Sequence, residues 1–279
     1  MKVAIVGASG LVGKYLMREW NGDEVTGFGS KDVDIRKASD VDRLISSLRP
    51  DWVVLAAAYT DVDGCETNPK LAFETNVNGA LNVARATVAA GSHLLFLSSD
   101  YVFDGNKASA YESGDARNPL SVYGQTKAQA EVELEKIFPS CCIVRTSWVF
   151  GVGGKCFPDT ILRLAAVRDE IEVVDDQRGC PTYARDLARA IVHLARLDAR
   201  GIVHVTNRGQ CTWFEFARSI VALAGLKTNV RPTTTERFPR PARRPKNSVL
   251  SASSLATYDV SMPGWQDALK AYLGERASQ

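Results

Sequence analysis

Short hydrophobic runs alternate with segments of helical spacing through the first half of the chain. The runs predict strands at 2–6, 24–28, 52–57, 93–97 and 142–145, and the other segments predict helices at 11–20, 41–48, 69–90 and 121–138. This alternation is typical of βαβ units. Because the strands are continuously apolar, we expect them to be buried on both faces of a parallel sheet. The fold class predicted is α/β, a Rossmann-type doubly wound parallel sheet.

The pattern becomes less regular after Trp148. A glycine-rich turn at 151–154 precedes predicted helices at 160–167, 183–196 and 213–224 and predicted strands at 171–174 and 202–205. Residues 231–245 are rich in Pro, Thr and Arg and predict a loop. We therefore expect residues 1–150 to form one domain, joined by a returning segment at about 183–205. Residues 151–279 are expected to form mainly a smaller α/β domain.

Composition and charge exclude several classes of protein. The chain has 279 residues and a net charge of +2, so no overall field favours nucleic acid or membrane binding. Neither a signal peptide nor an apolar run near the ~20 residues of a membrane helix is evident, which predicts a cytoplasmic protein. The six cysteines form no Cys-x-x-Cys pair and the three histidines are far apart. We expect neither a disulfide framework nor a metal site.

The first predicted strand runs directly into a glycine-rich turn and a helix. Such a turn lets a backbone approach a pyrophosphate closely, and the helix N-terminus then supplies free N–H groups. Residues 1–150 are therefore interpreted as a dinucleotide-binding domain. Its candidate phosphate-binding residues are Gly7, Ser9, Gly10, Leu11, Val12 and Gly13.

The residues after the second predicted strand bear on the choice of dinucleotide. An acidic residue at that strand end would bind the ribose 2′-hydroxyl of NAD. Here Ser30 and Lys31 stand in that region and could bind a 2′-phosphate. This favours NADP(H), although Asp32 and Asp34 leave NAD(H) open.

Ser99, Tyr123 and Lys127 have the spacing of a proton-transfer site. Tyr123 and Lys127 are four residues apart and share one face of a predicted helix. A free tyrosine has a pKa of about 10, which must fall by roughly three units for exchange near neutral pH. A lysine and a nicotinamide cation could provide that shift, and Ser99 could polarise a carbonyl. Spacing alone equally describes a surface pair, but the glycine turn favours catalysis.

Longer motifs resemble the extended short-chain dehydrogenase/reductase family, and one branch of it in particular. The resemblance runs from residue 2 to about residue 273. Its motifs lie at 55–66, 76–80, 98–105 (Ser-Ser-Asp-Tyr-Val-Phe-Asp-Gly), 145–151, 176–182 and 244–250.

The resemblance implies hydride transfer from NAD(P)H to C4 of a dTDP-linked 4-keto-6-deoxyhexose, dTDP-4-dehydro-L-rhamnose, giving dTDP-L-rhamnose. It implies that Tyr123 protonates the developing alkoxide, that Lys127 lowers the tyrosine pKa and binds the nicotinamide ribose, and that Ser99 holds the carbonyl oxygen. Many members carry threonine where Ser99 stands.

The resemblance also implies contacts outside this trio. By this likeness the cofactor is lined by Ala57, Ala58 and Tyr59, its adenine lies by Asp34 and Ile35, and the sugar is contacted by Tyr101, Phe103 and Trp148. Without the resemblance, Tyr101 is also explained as a residue packed under the loop. Trp148 is equally well explained as a core aromatic that closes the domain interface. It also implies that residues 151–279 bind the substrate.

The segment 237–246 concentrates basic residues on a predicted loop. A solvated, mobile loop is the ordinary interpretation of such a run. We favour a lid in which Arg243 and Arg244 bind the diphosphate of the nucleotide sugar.

Other functions remain open from the sequence. A 4-ketoreductase or an epimerase for another nucleotide-linked deoxysugar has the same fold, and a homodimer is one arrangement left open. A non-catalytic regulatory subunit like that of methionine adenosyltransferase also resembles this branch. The intact Ser99, Tyr123 and Lys127 favour catalysis.

Overall fold

A computed structural model describes residues 1–278. Its strands are β1 (Lys2–Val6), β2 (Glu24–Phe28), β3 (Trp52–Leu55), β4 (His93–Ser99), β5 (Cys142–Thr146), β6 (Val149–Phe150), β7 (Glu170–Val174), β8 (Arg178–Gly179), β9 (Thr182–Tyr183), β10 (Gly201–His204), β11 (Cys211–Thr212) and β12 (Asn229–Thr233). Its α-helices are α1 (Leu11–Glu19), α2 (Ala38–Leu48), α3 (Val62–Thr67), α4 (Pro69–Phe73), α5 (Ala80–Ala89), α6 (Val122–Ile137), α7 (Phe157–Ala165), α8 (Ala184–Arg196), α9 (Trp213–Leu223), α10 (Ser253–Ala256) and α11 (Trp265–Ala277). A π-helical segment spans Glu74–Gly79, and 3₁₀ turns span Asp100–Val102 and Thr235–Arg237.

The central sheet is parallel and has the order β10-β5-β4-β3-β1-β2. Successive side chains along each strand point to opposite faces of the sheet, so they pack into two hydrophobic cores. Val3 and Ile5 pack with α1 and α8 on one face, while Ala4 and Val6 pack with α2, α5 and α6 on the other. The predicted doubly wound α/β fold is thereby confirmed.

The chain after β5 builds a smaller layer beside this sheet. Strands β7 and β12 pair in parallel, β8 and β11 pair antiparallel, and β6 pairs with β9. The rings of Phe150, Phe216 and Tyr272 pack together between these elements and α7, α9 and α11. Strand β10 returns from this part of the chain to the edge of the central sheet.

Two predicted elements were wrong in detail. The helix predicted at 69–90 is divided into α4, the π-helical segment and α5. The loop predicted at 231–245 begins inside β12, which pairs with β7 although it contains Pro232. Proline is tolerated there because β12 has β7 as its partner in a two-stranded sheet, so its other edge needs no donor.

No helix within residues 1–278 is long and apolar enough to span a bilayer.

Candidate active site

A cavity of about 780 Å³ lies along the carboxyl ends of the central strands. Parallel α/β sheets bind ligands at this edge, because the loops that follow the strands converge there. The cavity runs from the turn after β1, past the ends of β3 and β4, to Trp148 after β5. It holds most of the predicted site residues, namely Gly7, Ser9, Gly10, Leu11, Val12, Gly13, Ser30, Asp34, Ile35, Ala57, Ala58, Tyr59, Ser99, Tyr101, Tyr123, Lys127 and Trp148.

The glycine turn brings α1 very close to the end of β1. Gly7 has a φ of +99°, a conformation that favours glycine, and a Cβ on Gly13 would lie 2.2 Å from the Gly7 carbonyl oxygen. Gly10 caps α1 without any side-chain hydrogen bond. The amides of the first turn therefore remain free to bind a phosphate at the positive end of the helix.

An acidic and a basic side chain, Asp34 and Arg36, lie together at the far end of the cavity. Ser30, Asp34, Ile35 and Arg36 line it, whereas Lys31 does not. The Arg36 guanidinium donates to both Asp34 oxygens at 2.8 Å and holds the pKa of that carboxyl at about 2. Arg36 was missed by the sequence reasoning, although a basic residue two positions after Asp34 was a usable signal.

The π-helical segment positions the loop after β3. Asn76 accepts from the Tyr59 amide at 2.7 Å and donates to the Tyr59 carbonyl at 3.1 Å and to Thr126 at 3.0 Å. This buried amide ties the cavity wall to α6, the helix that carries Tyr123. Segments of π-helix often occur at functional sites, and this one carries the buried Asn76.

Helix α6 brings Tyr123 and Lys127 beside Ser99, the last residue of β4. The Ser121 hydroxyl caps the helix by accepting from the Gly124 amide at 3.2 Å. A Cβ on Gly124 would lie 2.2 Å from the Tyr101 carbonyl oxygen, so glycine allows α6 to approach the loop after β4. The Lys127 ammonium donates to the Leu97 carbonyl at 2.6 Å.

Burial dominates the protonation of this group. Desolvation raises the pKa of Tyr123 well above its ordinary value, and the nearby Ser99 hydroxyl opposes that shift. Desolvation also lowers the pKa of Lys127 to about 7, against the attraction of Glu131. The Lys127 ammonium lies over the Phe96 ring, 4.0 Å from its centroid.

A buried charge network supports α6 behind the cavity. The Arg145 guanidinium donates to Glu131 at 2.6 Å, with both side chains 0% exposed. Ser98 and Arg117 also donate to this carboxylate, each at 2.5 Å. The pKa of Glu131 is held low, since Arg145 and these donors outweigh the cost of its burial. The network was not predicted.

Two buried polar atoms of the cavity wall have no hydrogen-bond partner within residues 1–278. These atoms are Asp100 Oδ2 and Thr146 Oγ1. Asp100 is 2% exposed and Thr146 is 7% exposed. Thr146 is the register partner of Ser99 in the sheet. Because an unpaired buried polar atom is costly, a ligand that carries hydroxyl groups would stabilise this wall.

Aromatic side chains form the wall opposite the glycine turn. Tyr101 packs edge-on against Tyr123, with ring centroids 6.0 Å apart. Trp148 has a φ of +47° and stacks on Trp213 at 3.5 Å, while Gly179 lies against its pyrrole side. These neighbours hold the Trp148 ring in place where it lines the cavity. Trp213 and Lys155 also line the cavity and were not singled out from the sequence.

Four predicted site residues, Phe103, Lys31, Arg243 and Arg244, lie outside the cavity lining. Phe103 is 0% exposed and stacks on Tyr111 in a separate small core, so the structure does not bring it to the cavity. Lys31 and Arg243 are exposed and do not line the cavity.

Arg244 also does not line the cavity, but it lies directly behind the wall. Its guanidinium donates to both oxygens of Asp63, at 2.8 and 2.9 Å, and to the Ala242 carbonyl. Burial raises the pKa of the Tyr101 hydroxyl, and the nearby Arg244 guanidinium opposes that shift. The basic segment is thus fastened to α3 rather than free.

No set of three His, Cys, Asp or Glu side chains in the described chain is arranged to hold a metal ion.

Comparison with known proteins gives consistent matches. The family model described as the RmlD substrate binding domain matches residues 1–278. The spore coat polysaccharide biosynthesis protein SpsK of Bacillus subtilis is 37% identical over 99% of this chain and 98% of its own. The dTDP-4-dehydrorhamnose reductase of Mycobacterium tuberculosis H37Rv is 37% identical over 99% of this chain and 94% of its own.

Solved structures agree with these matches. The crystal structure of dTDP-4-dehydrorhamnose reductase from Bacillus anthracis in complex with NADP has a TM-score of 0.96 and 38% identity, covering 99% of this chain and 100% of that one. The UDP-glucose 4-epimerase of Thermus thermophilus, at 24% identity and a TM-score of 0.82, shares the fold.

Proposed function

The chain belongs to the RmlD substrate-binding-domain family, and from this premise we propose that it reduces the C4 ketone of dTDP-4-dehydro-L-rhamnose to the hydroxyl of dTDP-L-rhamnose with NADPH. The observation that carries the proposal is that one cavity holds both the dinucleotide-binding turn and the proton-transfer residues. This cavity joins the free amides of the α1 N-terminus to the hydroxyls of Ser99 and Tyr123 and the ammonium of Lys127.

The residues present fit a nicotinamide dinucleotide. The uncapped first turn of α1 would hold the pyrophosphate, Asp34 and Ile35 the adenosine, and Ala57, Ala58 and Tyr59 the middle of the molecule. Lys127 would hold the nicotinamide ribose. When bound, the dinucleotide supplies the hydride that C4 of the sugar accepts.

The side chains of the cavity complete the reduction. The Tyr123 hydroxyl is kept protonated by burial, so it can donate its proton to the oxygen on C4 as negative charge develops there. Ser99 holds that oxygen from the end of β4. Lys127 in its cationic form stabilises the tyrosinate that proton donation leaves, since opposite charges attract strongly in a desolvated site.

We also propose that two parts of the chain bind the two ligands. Residues 1–150, with the segment at about 183–205, would bind the dinucleotide, and 151–279 would bind mainly the nucleotide sugar. The return of β10 to the central sheet and the packing of α8 against α1 support this division.

We expect Arg36→Ala to weaken NADPH binding selectively. Arg36 and Ser30 both line the end of the cavity proposed for the adenosine, where a 2′-phosphate would accept hydrogen bonds from the guanidinium. Loss of charged hydrogen bonds worth about 1.5–3 kcal/mol corresponds to a roughly 10- to 100-fold rise in KM for NADPH. Steady-state kinetics with both dinucleotides test this, with Lys31→Ala as the control. Equal changes in KM for NADPH and NADH would contradict it.

We expect Arg244→Ala to raise KM for the nucleotide sugar more than it lowers kcat. The substitution removes the two guanidinium hydrogen bonds that Arg244 donates to Asp63, which loosens the basic segment, and it removes a neighbour of Tyr101. An interaction of this kind is worth about 1.5–3 kcal/mol, so KM should rise roughly tenfold or more. Arg243→Ala, which alters an exposed side chain, should have the smaller effect. An unchanged KM in both variants would count against a substrate-binding lid.

The direct test of the function is NADPH oxidation in the presence of dTDP-4-dehydro-L-rhamnose. We expect stoichiometric loss of absorbance at the reduced-nicotinamide band and formation of dTDP-L-rhamnose. Conversion of a nucleotide sugar with no net NADPH oxidation would indicate an epimerase. Absence of any turnover in a folded protein that binds NADPH would favour a regulatory role.

A cytoplasmic location and a homodimer are further parts of the proposal. Every cysteine of the chain is buried as a free thiol, which suits a reducing compartment. Sedimentation equilibrium of the full chain tests the homodimer.

A further inference from the structure

Asp100 is a cavity carboxyl to which the reaction described above assigns no role. It is 2% exposed, and it follows Ser99 directly at the end of β4. Its Oδ1 accepts the Ser99 hydroxyl proton at 3.0 Å. The nearby Ser248 hydroxyl partly opposes the rise in the pKa of Asp100 that burial causes. No group in the described residues donates a hydrogen bond to Asp100 Oδ2.

The surroundings of Asp100 are poor in positive charge. Tyr101 on its own 3₁₀ turn, Tyr123 on α6 and Cys180 between β8 and β9 all have pKa values raised mainly by burial, and a negative charge on Asp100 adds to each shift. The positive charge of the Arg244 guanidinium opposes the rise in the pKa of Tyr101. Burial is the main influence on Asp100, and it raises the pKa of the carboxyl to about 7.

A serine hydroxyl has only one proton to donate. Ser99 already accepts from the Tyr101 amide at 3.2 Å, so its proton goes either to Asp100 or to a substrate carbonyl oxygen. An ionised Asp100 holds that proton in a charge-assisted bond. A neutral Asp100 can instead donate to Ser99, which frees the serine proton for the substrate.

We propose that Asp100 is a positioning residue whose neutral acid form orients the Ser99 hydroxyl toward the C4 carbonyl oxygen. The inference rests on the proposed reductase function. The neutral form also removes a negative charge from beside the oxygen on which charge develops during reduction. Asp100 keeps its proton throughout, because C4 receives a hydride and its oxygen receives the proton of Tyr123.

The pH profile of kcat/KM tests the proposal. Burial raises the pKa of Asp100 to about 7 and lowers that of Lys127 to about 7, and the reaction requires both groups protonated. We therefore expect wild-type kcat/KM to fall about a hundredfold per pH unit well above pH 7. Asp100→Asn cannot ionise and its amide can donate to Ser99. We expect its kcat/KM to fall only about tenfold per unit, so that it exceeds wild type by about a hundredfold at pH 9.

Two further variants separate positioning from structure. Asp100→Ala has no donor for Ser99, so we expect lower activity than Asp100→Asn at every pH. Asp104→Asn is the matched control, because the Asp104 carboxylate bonds to Asn106, Tyr111 and Asn118 outside the cavity, and its profile should keep the wild-type slope. Thermal unfolding of each variant confirms folding.

The outcomes distinguish the two hypotheses. Failure of wild type to oxidise NADPH with this sugar would overturn the proposed function. An active wild type with the same slope as Asp100→Asn would overturn the role of Asp100 and leave the function standing. A uniform loss in Asp100→Asn at all pH values would likewise mark Asp100 as merely structural.

Discussion

We expect Tyr123→Phe to lower kcat for the sugar substrate by about three orders of magnitude while KM stays within about twofold. A positioned general acid contributes about 10²- to 10⁴-fold to a reaction, and phenylalanine removes only the hydroxyl that carries the proton. The ring keeps its edge-on packing against Tyr101. A loss confined to kcat identifies an interaction made in the transition state.

The measurement is initial-rate NADPH oxidation with saturating sugar, together with NADPH binding by fluorescence. Tyr111→Phe is the matched control. Its hydroxyl donates to Asp104 at 2.7 Å and lies outside the cavity lining, so that variant should lose about 1 kcal/mol of stability and little activity. Full activity in Tyr123→Phe would exclude this tyrosine as the proton donor.

The parts of the site that the sequence predicts are those fixed by local rules. The glycine turn follows a strand and opens a helix, so Gly7, Gly10 and Gly13 could be placed from spacing alone. Ser99 ends a parallel strand, and such ends meet at one edge of the sheet. Tyr123 and Lys127 lie one helical turn apart. These rules need no knowledge of distant contacts.

The parts that were missed or wrong depend on contacts between distant residues. Phe103 sits in a motif that reads as exposed to the cavity, yet its ring turns back onto Tyr111. The π-helical segment has the same apolar spacing as a helix, and within it Asn76 bonds to Tyr59 and Thr126, which are distant in sequence. The lowered pKa of Lys127 reflects burial, which spacing does not reveal.

The pairing of Glu131 with Arg145 was also invisible in the sequence, because a polar residue on a helix ordinarily predicts a solvated face. We expect Arg145→Met to destabilise the protein by about 3–5 kcal/mol, since removing one member of a buried ion pair leaves the other charge uncompensated. The substitution also removes the hydrogen bond that Arg145 donates to the Ser113 carbonyl at 3.1 Å. Urea unfolding monitored by tryptophan fluorescence measures the loss.

The double variant Glu131→Leu with Arg145→Met tests the cause. Arg117 remains, but it is 20% exposed and keeps its bond to Glu135, so we expect the double variant to recover most of the loss. The sign of the pH dependence follows from the lowered pKa of Glu131. Its contribution is full above the unfolded pKa of about 4.3 and disappears as pH falls through the folded value. The gap between wild type and Arg145→Met should therefore shrink in acid, and a gap that stays constant would point to lost packing instead of lost charge.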